Sequence, residues 1–272
     1  MNTQKVALIT GASSGIGKAI AFQLMDDGLT VYATARRLEK MRDLEQRGAI
    51  ALKMDITVEN DIQRIVKQIE TDGNSVNILV NNAGYGSYGA MEDTTIEDAR
   101  RQFEVNLFGL ACLTKAVLPI MRTNKSGKII NISSTGGKVH TLLGSWYNAT
   151  KHALEGWSDC LRLELAPFNI DVVIIEPGAI KSEFIDVMLD PMLKRSGNSA
   201  YSAMAKKMEQ TARKFNERGN ASNPSVIAKV VSQAIKAKKP KTRYATGKFA
   251  KPLIFIRKWI GDRLFDKIIM SL

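Results

Sequence analysis

The chain has few of the residues from which disulfide frameworks and metal centres are built. Its 272 residues include two cysteines, Cys112 and Cys160, and two histidines, His140 and His152. Two cysteines are too few for a disulfide framework and suit a reducing cytoplasm, where we expect both thiols to be inert. The histidines form no ligand-like pattern with cysteines or carboxylates, so no metal site is expected. We expect His152 to be structural, and we leave open whether His140 lines a substrate site.

Long hydrophobic runs are also missing. No uninterrupted apolar segment approaches the roughly 20 residues that a helix needs to cross a bilayer. The first residues lead directly into the apolar segment KVALIT, so we expect no signal peptide. Repeats and low-complexity segments are absent from the sequence. These absences favour a single cytoplasmic globular domain, because a chain of this length needs no second core.

Acidic residues are scarce near the C-terminal end. Residues 219–272 contain twelve Lys or Arg and two Asp, a net charge of +10, whereas residues 1–218 carry +2. Residues 248–272 combine this charge with apolar residues at helical spacing, and we predict an amphipathic basic helix there. That helix either lies on an anionic membrane surface, covers the substrate site or packs on a second subunit. No base-reading module accompanies it, so nucleic-acid binding is not expected.

Apolar strand patterns alternate with helical patterns from residue 5 to about residue 176. Such alternation predicts an α/β fold with one doubly wound parallel sheet, helices on both faces and right-handed crossovers. Residues 1–247 are expected to form this domain, and residues 248–272 a C-terminal amphipathic extension. Predicted strands are 5–10, 30–35, 50–54, 77–81, 127–133, 171–176 and 242–246; predicted helices begin near 15, 39, 59, 97 and 147, and another spans about 224–237.

The opening segment has the pattern of a phosphate-binding turn. The strand KVALIT is followed by GASSGIG, residues 11–17, and then by the helical pattern KAIAFQLMDDG. Glycines let the backbone approach an anion, and the N-terminus of a helix favours negative charge. A dinucleotide is therefore predicted to bind above residues 11–17.

The end of the second predicted strand indicates which dinucleotide binds. An Asp or Glu at this point would bind the ribose 2′-hydroxyl of NAD, but the chain has Ala35 followed by Arg36 and Arg37. Two arginines beside the start of a helix oppose the helix dipole, and a bound anion would compensate for that. We therefore predict NADP(H), whose 2′-phosphate is the anion.

Tyr147 and Lys151 are the most informative pair in the chain. A spacing of four places both side chains on one face of a helix, about 6 Å apart along the axis. A free tyrosine with a pKa of about 10 is a poor acid–base catalyst at neutral pH, but a nearby cation favours the phenolate. Ser134 lies thirteen residues earlier, and its hydroxyl is expected to hold a substrate oxygen.

Together these features resemble the short-chain dehydrogenase/reductase family over roughly residues 3–182, and the likeness is expected to continue to about residue 247. The residues that carry the resemblance are the turn from Thr10 to Gly17, the motif from Asn81 to Gly84, Asn106, Ser134, Tyr147, Lys151 and the loop from Pro177 to Ser182. The family usually has Thr where this chain has Ser182, but a hydroxyl is retained. The resemblance implies a cofactor site made of Gly11, Ser13, Ser14, Gly15, Ile16, Gly17, Arg36, Arg37, Asp55, Ile56, Asn82, Ala83, Gly84, Tyr147, Lys151, Pro177, Gly178, Ile180 and Ser182.

The resemblance also implies a mechanism and a Rossmann-like fold. Tyr147 exchanges a proton with the substrate oxygen, Lys151 lowers its pKa and binds the nicotinamide ribose, and Ser134 holds the same oxygen. Asn106 holds a water in a proton relay. The implied reaction moves a hydride between the nicotinamide and a ketone or secondary alcohol, in a homo-oligomer. A non-catalytic NADP-sensing protein is the alternative, but such proteins often lose the tyrosine or the lysine.

Substrate selectivity is expected to come from residues 183–222, which we predict to be the most irregular region and which related enzymes use as a mobile lid. Flexible methionines there suit an apolar substrate, although they equally suit packing of the lid onto the body. The layout looks most like the steroid, retinoid and lipid-ketone branch. The candidate apolar wall comprises Tyr85, Tyr88, Leu142, Leu143, Trp146, Phe184, Met188, Leu189, Met192, Leu193, Met204 and Met208.

Overall fold

A computed structural model describes residues 4–271, and its centre is a sheet of seven strands in the order 3-2-1-4-5-6-7. Every neighbouring pair is parallel. The predicted doubly wound α/β fold is therefore confirmed. The strands are β1 (Val6–Thr10), β2 (Thr30–Ala35), β3 (Ile50–Lys53), β4 (Val76–Asn81), β5 (Gly127–Ile132), β6 (Ile170–Pro177) and β7 (Arg243–Thr246).

Helices cover both faces of this sheet. A π-helical segment, Glu104–Phe108, joins α4 and α5 into one continuous helix. The helices are α1 (Gly15–Asp26), α2 (Arg42–Gln46), α3 (Glu59–Thr71), α4 (Ile96–Phe103), α5 (Gly109–Thr123), α6 (Ser145–Leu165), α7 (Phe184–Ser196), α8 (Ser202–Glu217), α9 (Ser225–Lys236), α10 (Ala250–Trp259) and α11 (Asp262–Ser271).

The sheet has a separate hydrophobic core on each face, because successive side chains of a strand point to opposite sides. Ala7 and Ile9 of β1 enter the core beneath α1 and α9. Val6 and Leu8 enter the opposite core, which α3, α5 and α6 cover. Burial on both faces explains why the strand sequences are nearly continuous apolar runs instead of alternating ones.

One helix among the described residues, Ile96–Thr123, is long and apolar enough to cross a membrane by length and composition alone. A core helix passes the same test. Here the inward side of α5 contributes Leu113, Val117 and Met121 to the core against the sheet. Packing in the domain buries 33% of this apolar segment.

Two regions differ from the prediction. Residues 183–222 are mostly the helices α7 and α8, not the irregular segment that was predicted. Phe184, Met188 and Met192 recur at a spacing of four and form one helical stripe, in which both methionines are buried and Phe184 is partly buried. The extension contains two helices instead of one, because the chain is extended at Ile260 (φ −105°, ψ 142°) before Gly261.

Candidate active site

The carboxyl ends of β1 and β4 meet at a crevice. These strands are neighbours in the sheet although they are distant in the chain, and ligands of open α/β sheets bind at such a point. Asn82 fastens the two ends together, because its Nδ2 donates to the carbonyls of Thr10 (2.9 Å) and Gly11 (3.2 Å). The Thr10 hydroxyl in turn accepts from the backbone N–H groups of Asn82 and Ala83.

The glycines of the opening turn are required by this close packing. A Cβ on Gly17 would lie 2.4 Å from both the Asn82 Nδ2 and the Gly11 carbonyl oxygen. Gly11 has a φ of +68°, and a Cβ there would lie 2.9 Å from the Ala83 Cα. Gly15 has a φ of +54° and packs against Ser182. The sequence-predicted turn, the motif after β4 and the loop after β6 therefore come together.

The N-terminus of α1 is open towards the crevice. Within the described chain, the N-cap Ser14 makes no side-chain cap hydrogen bond, and the first turn has no acidic residue. N–H groups at a helix start that has neither a capping side chain nor a nearby carboxylate favour binding of an anion. The turn therefore fits the phosphates of a nicotinamide dinucleotide, which would lie against Ser13, Ser14, Ile16 and the glycines.

The two arginines after β2 have different surroundings. Arg37 donates to the hydroxyls of Ser13 (3.3 Å) and Ser14 (3.2 Å) and to a carboxylate oxygen of Glu183 (2.9 Å). Arg36 is exposed and lines a surface cavity of about 410 Å³. Arg42 and Lys53 also line this cavity, together with the acidic Glu39 and Glu45. Sequence reasoning missed these two cations, since only the fold brings α2 and the end of β3 beside Arg36.

Asp55 and Ile56 follow β3 and lie next to the crevice. The Asp55 carboxylate accepts hydrogen bonds from the Thr57 backbone N–H (3.0 Å) and hydroxyl (2.8 Å). Burial acts to raise the pKa of Asp55, but these bonds and the charges of Arg101 and Arg36 hold it below its usual value. Asp55 is therefore an ionised acceptor held at a fixed position.

Ser134, Tyr147 and Lys151 converge behind the end of β5. Ser134 caps the short turn Thr135–Gly137 and accepts from the Gly136 N–H (3.0 Å). Tyr147 and Lys151 are both buried on α6, each 7% exposed. The Lys151 ammonium donates to the carbonyl of Ile132, the last residue of β5, at 2.9 Å. The spacing of four thus places both groups on the inward face of one helix, as expected.

The electrostatics of the tyrosine differ from the prediction that Lys151 lowers its pKa. Burial raises the pKa of Tyr147 above its ordinary value, and Tyr88 adds to the increase, whereas the Ser134 hydroxyl lowers it. Burial also lowers the pKa of Lys151 to about 8, although the Glu155 carboxylate acts to raise it. The protein groups alone therefore keep Tyr147 protonated at neutral pH, in the form that donates a proton.

Asn106 lies in the π-helical segment between α4 and α5. Its side-chain amide donates to the Tyr85 carbonyl (3.0 Å) and the Thr150 hydroxyl (3.1 Å), and its Oδ1 accepts from the Tyr85 N–H (3.1 Å). A Cβ on Gly84 would lie 3.1 Å from this Oδ1 and 3.8 Å from the Lys151 ammonium. Asn106 therefore lies beside the lysine, although no sequence signal predicted the π-helical turn, a feature frequent at functional sites.

The loop after β6 is fixed at its other side by the segment that follows β7. The Gly178 N–H donates to the Thr246 carbonyl (2.9 Å), and a Cβ on Gly178 would lie 2.2 Å from the Lys248 carbonyl oxygen. Ile180 forms a bridge with Ser222. Pro177, Gly178, Ile180 and Ser182 thus line one side of the crevice in a fixed conformation, where the resemblance places the nicotinamide.

This geometry can be compared with known proteins. The family model described as short chain dehydrogenase matches residues 5–190. The chain belongs to the short-chain dehydrogenase family. It is therefore an oxidoreductase, and the family resemblance in the sequence is confirmed.

Relatives of this short-chain dehydrogenase match nearly its whole length. A 3-ketodihydrosphingosine reductase from Bacteroides thetaiotaomicron is 34% identical over 272 residues, 96% of this chain and 95% of the relative. The NADPH-dependent 3-dehydrocapnine reductase of Ornithobacterium rhinotracheale is 34% identical over 281 residues, 97% and 95% of the two chains. A crystal structure of a short-chain dehydrogenase from Streptomyces avermitilis is 35% identical with a TM-score of 0.82, covering 100% of this chain and 96% of that one.

In this short-chain dehydrogenase, apolar side chains surround Tyr147. The Phe184 ring lies 5.5 Å from the Tyr147 ring, and the Tyr88 ring lies 5.6 Å from it. Of the predicted wall residues, Tyr85 and Trp146 are outside this cluster, although both are partly buried. The apolar cluster comprises Tyr88, Ala90, Leu142, Leu143, Tyr147, Phe184, Ile185, Met188, Leu189, Met192, Leu193, Tyr201, Met204, Ala205, Met208 and Ala212.

A buried charge cluster behind α6 was not predicted. One carboxylate oxygen of Glu155 is 2.9 Å from the Lys138 ammonium and 3.1 Å from the Arg243 Nε, which is 3.5 Å from Glu176. Burial and the neighbouring Glu155 raise the pKa of Glu176 to about 7. No signal could have revealed this cluster, because Arg243 is separated from Glu155 by almost ninety residues.

The two histidines take different positions. His152 contacts the Asn148 carbonyl at 2.9 Å within its own helix, as a structural residue would. His140 is joined to the C-terminal extension, since its Nε2 lies 2.8 Å from a carboxylate oxygen of Asp266 and its ring lies edge-on to Phe265 at 4.9 Å. No group of three His, Cys, Asp or Glu in the described part of the chain is arranged to hold a metal ion.

Proposed function

We propose that the chain is an NADP(H)-dependent reductase that converts an apolar, lipid-like ketone into a secondary alcohol. The observation that carries this proposal is the position of Tyr147. Its phenol lies among the apolar side chains of α7, while Lys151 is on the same helix face and Ser134 is beside it. One group that can donate a proton is thus presented to an apolar cluster at the edge of a dinucleotide-type crevice.

Each polar residue of the site has a separate role in the proposal. A bound nicotinamide cofactor supplies the hydride, and the protein supplies orientation and the proton. Tyr147 donates the proton to the substrate oxygen, which Ser134 also holds. Lys151, a cation at neutral pH with a pKa of about 8, would bind the nicotinamide ribose from one helical turn beyond the phenol. Asn106, fixed by three hydrogen bonds, positions the relay that returns the proton from solvent.

NADP(H) is preferred to NAD(H) in this proposal. Three cations, Arg36, Arg42 and Lys53, and two carboxylates, Glu39 and Glu45, line one cavity after β2, so its charge is net positive. Arg37 lies beside the serines of the turn. A phosphate is the ligand that such a group of cations favours. The NADPH dependence named for the Ornithobacterium relative is consistent with this choice.

The substrate class follows from the apolar cluster and from two relatives. Methionine and leucine side chains of α7 and α8 face Tyr147 and adapt readily to a flexible chain. Two of the relatives that match almost the whole chain are named 3-ketodihydrosphingosine reductase and NADPH-dependent 3-dehydrocapnine reductase. A long-chain 3-ketone is therefore the lipid-like substrate that we favour over a steroid or a retinoid.

A substrate panel tests this proposal. NADPH oxidation would be followed with 3-ketodihydrosphingosine, a steroid ketone, retinal, a 3-ketoacyl thioester and acyl dihydroxyacetone phosphate. We expect the fastest turnover with a long-chain ketone. If NADPH binds tightly but no member of the panel is reduced, the non-catalytic sensor becomes the better account.

We also propose that the chain is a cytoplasmic homo-oligomer. Phe108 and Leu163 are 51% and 72% exposed. A second copy would shield such side chains from water. Light scattering of the purified protein tests this point, because a monomer at micromolar concentration would contradict it.

A further inference from the structure

The C-terminal extension buries some of its aromatic residues and exposes others. Phe265 of α11 is fully buried, where it packs on the His140 ring and beneath the Arg257 guanidinium at 5.5 Å. In contrast, Phe255 and Trp259 of α10 are 65% and 68% exposed. The extension is therefore already anchored to the domain, and its exposed aromatic residues are not needed for that attachment.

The exposed face of α10 is both aromatic and basic. Phe255 and Trp259 are one turn apart, with ring centroids separated by 6.2 Å. Lys251 precedes Phe255 by one turn, and the Lys258 ammonium lies 5.4 Å from the Trp259 ring. Aromatic rings flanked by lysines are suited to the boundary between water and lipid headgroups.

The exposed side of α11 continues this character. Leu264 and Met270 are each 55% exposed, and Arg263 and Lys267 of the same helix are also exposed. The carboxylates of both acidic residues of the extension already have partners. Asp262 forms an ion pair with Arg257, and Asp266 contacts the His140 ring. Among the ion pairs of residues 4–271, none involves Lys251, Lys258, Arg263 or Lys267. The face is thus a cationic surface that anionic headgroups would complement.

We propose that this face, formed by Lys251, Phe255, Lys258, Trp259, Arg263 and Lys267, docks the enzyme on an anionic lipid bilayer. The position of the extension gives such docking a consequence for the active site. The ring of Phe249, the N-cap of α10, packs at a tilt against the Phe215 ring of α8, with centroids 5.8 Å apart. The Lys207 ammonium donates to the Met270 carbonyl at 3.0 Å. The docking face is therefore joined to the helix pair that covers Tyr147.

Vesicle sedimentation of the full chain tests the docking face without reference to turnover. The vesicles would be phosphatidylcholine alone or an equimolar mixture with phosphatidylglycerol. We expect binding to the mixed vesicles only, with a strong decrease as salt screens the charges. Absence of sedimentation with the mixed vesicles, or equal binding to both, would overturn the proposal.

A charge variant and its matched control locate the surface. The variant carries Lys251→Gln, Lys258→Gln, Arg263→Gln and Lys267→Gln, and the control carries Lys5→Gln, Lys67→Gln, Arg122→Gln and Lys229→Gln on the body. Each basic residue near an anionic surface contributes about fivefold in affinity, so the variant, which loses four, should bind roughly 600-fold more weakly. Equal losses in variant and control would overturn the assignment, because net charge alone would then explain binding.

A variant without the two exposed aromatic residues distinguishes two partners for the docking face, a lipid bilayer and a second copy of the chain. Phe255→Ser with Trp259→Ser should weaken vesicle binding at least about tenfold and leave the solution mass and NADPH affinity unchanged. A decrease in solution mass with vesicle binding retained would contradict the proposal and assign the face to self-association. Because the readout is binding, failure of the proposed ketone reduction would leave this result unaffected.

Discussion

The carboxyl edge of the sheet and the C-terminal extension contain the same kinds of residue in opposite arrangements. At the edge, glycines have no room for a side chain, Asn82 connects two strands, and Tyr147 and Lys151 are buried. In the extension, a Cβ on Gly261 would meet nothing within 4 Å, and Trp259 is 68% exposed. The edge thus depends on exact atomic positions, whereas the extension depends on the surface that it presents.

This difference indicates what a mutation should damage in each region. At the edge, losing a single atom or adding one should change chemistry, cofactor affinity or stability. On the exposed side of the extension, single changes should have little effect on any of these, because exposed substitutions generally cost little.

The largest effect is expected from removing one oxygen atom at the edge. Tyr147→Phe should lower the rate of ketone reduction by a factor of about 10²–10⁴, the usual contribution of a positioned acid or base. NADPH affinity, measured by fluorescence titration, should remain close to that of the wild type. As a control from the extension, Phe255→Leu should leave both quantities unchanged. If Tyr147→Phe turns over ketone within a few-fold of the wild-type rate, Tyr147 is not the proton donor.

Cofactor choice should respond next most strongly. Arg36→Ala with Arg37→Ala removes two charged donors near the predicted 2′-phosphate site, each charge-assisted bond contributing about 1.5–3 kcal/mol. NADPH affinity should fall at least about tenfold, while NADH affinity changes little. Lys251→Ala with Lys258→Ala is the matched loss of charge in the extension and should affect neither cofactor. An equal loss of affinity for NADPH and for NADH would show that the arginines do not recognise the 2′-phosphate.

Packing itself can be compared with a pair of glycine substitutions. Gly17→Ala should destabilise the fold by about 1–3 kcal/mol, because the new methyl group would overlap the Asn82 amide and the rigid Gly11 carbonyl. Gly261→Ala should change stability by less than about 0.5 kcal/mol. Urea denaturation of both variants provides the measurement. Similar stabilities for the two would show that the opening turn is looser than its contacts indicate.

The smallest expected effect concerns the buried carboxyl of Glu176. Its pKa of about 7 lies above the value near 4.5 of an unfolded glutamate, so the folded state binds an extra proton between these pH values. The stability that this group contributes is fully present below pH of about 4.5 and is lost as pH rises through about 7. The unfolding free energy of Glu176→Gln minus that of the wild type should therefore be larger at pH 8 than at pH 5, by on the order of 1–3 kcal/mol.

The exposed Glu164 on α6 supplies the control for that experiment. Glu164→Gln should follow the wild-type dependence of the unfolding midpoint on pH, because the Glu164 side chain is exposed to solvent. A Glu176→Gln profile parallel to the wild type would mean that Glu176 is ionised throughout, as a full partner of Arg243.

Sequence reasoning succeeded where a property depends on nearby residues. The strands were placed within one or two residues of their observed ends, because apolar runs bounded by glycine or polar residues mark buried parallel strands. The convergence of Tyr147 with Lys151 follows from helical spacing alone. The helical stripe of α7 was available in the spacing of Phe184, Met188 and Met192, but its methionines were interpreted as an irregular lid.

What sequence reasoning missed depends on contacts between distant residues. The pKa of Tyr147 is raised because the fold buries the phenol, with Tyr88 adding to the effect, and helical spacing says nothing about burial. The ion pair of Arg37 with Glu183 joins residues far apart in the chain, as does the pair of Glu155 with Arg243. The extension forms two helices because the backbone is extended at Ile260. The apolar spacing of the sequence continues through Ile260 and therefore predicted a single helix.

A crystal structure of the full chain with NADP⁺ and a long-chain ketone analogue would test the central claim most directly. The account predicts the diphosphate over Gly11–Gly17, the 2′-phosphate beside Arg36, and the ketone oxygen within hydrogen-bonding distance of both Tyr147 and Ser134. A nucleotide bound elsewhere, or a ketone oxygen turned away from the tyrosine, would contradict it.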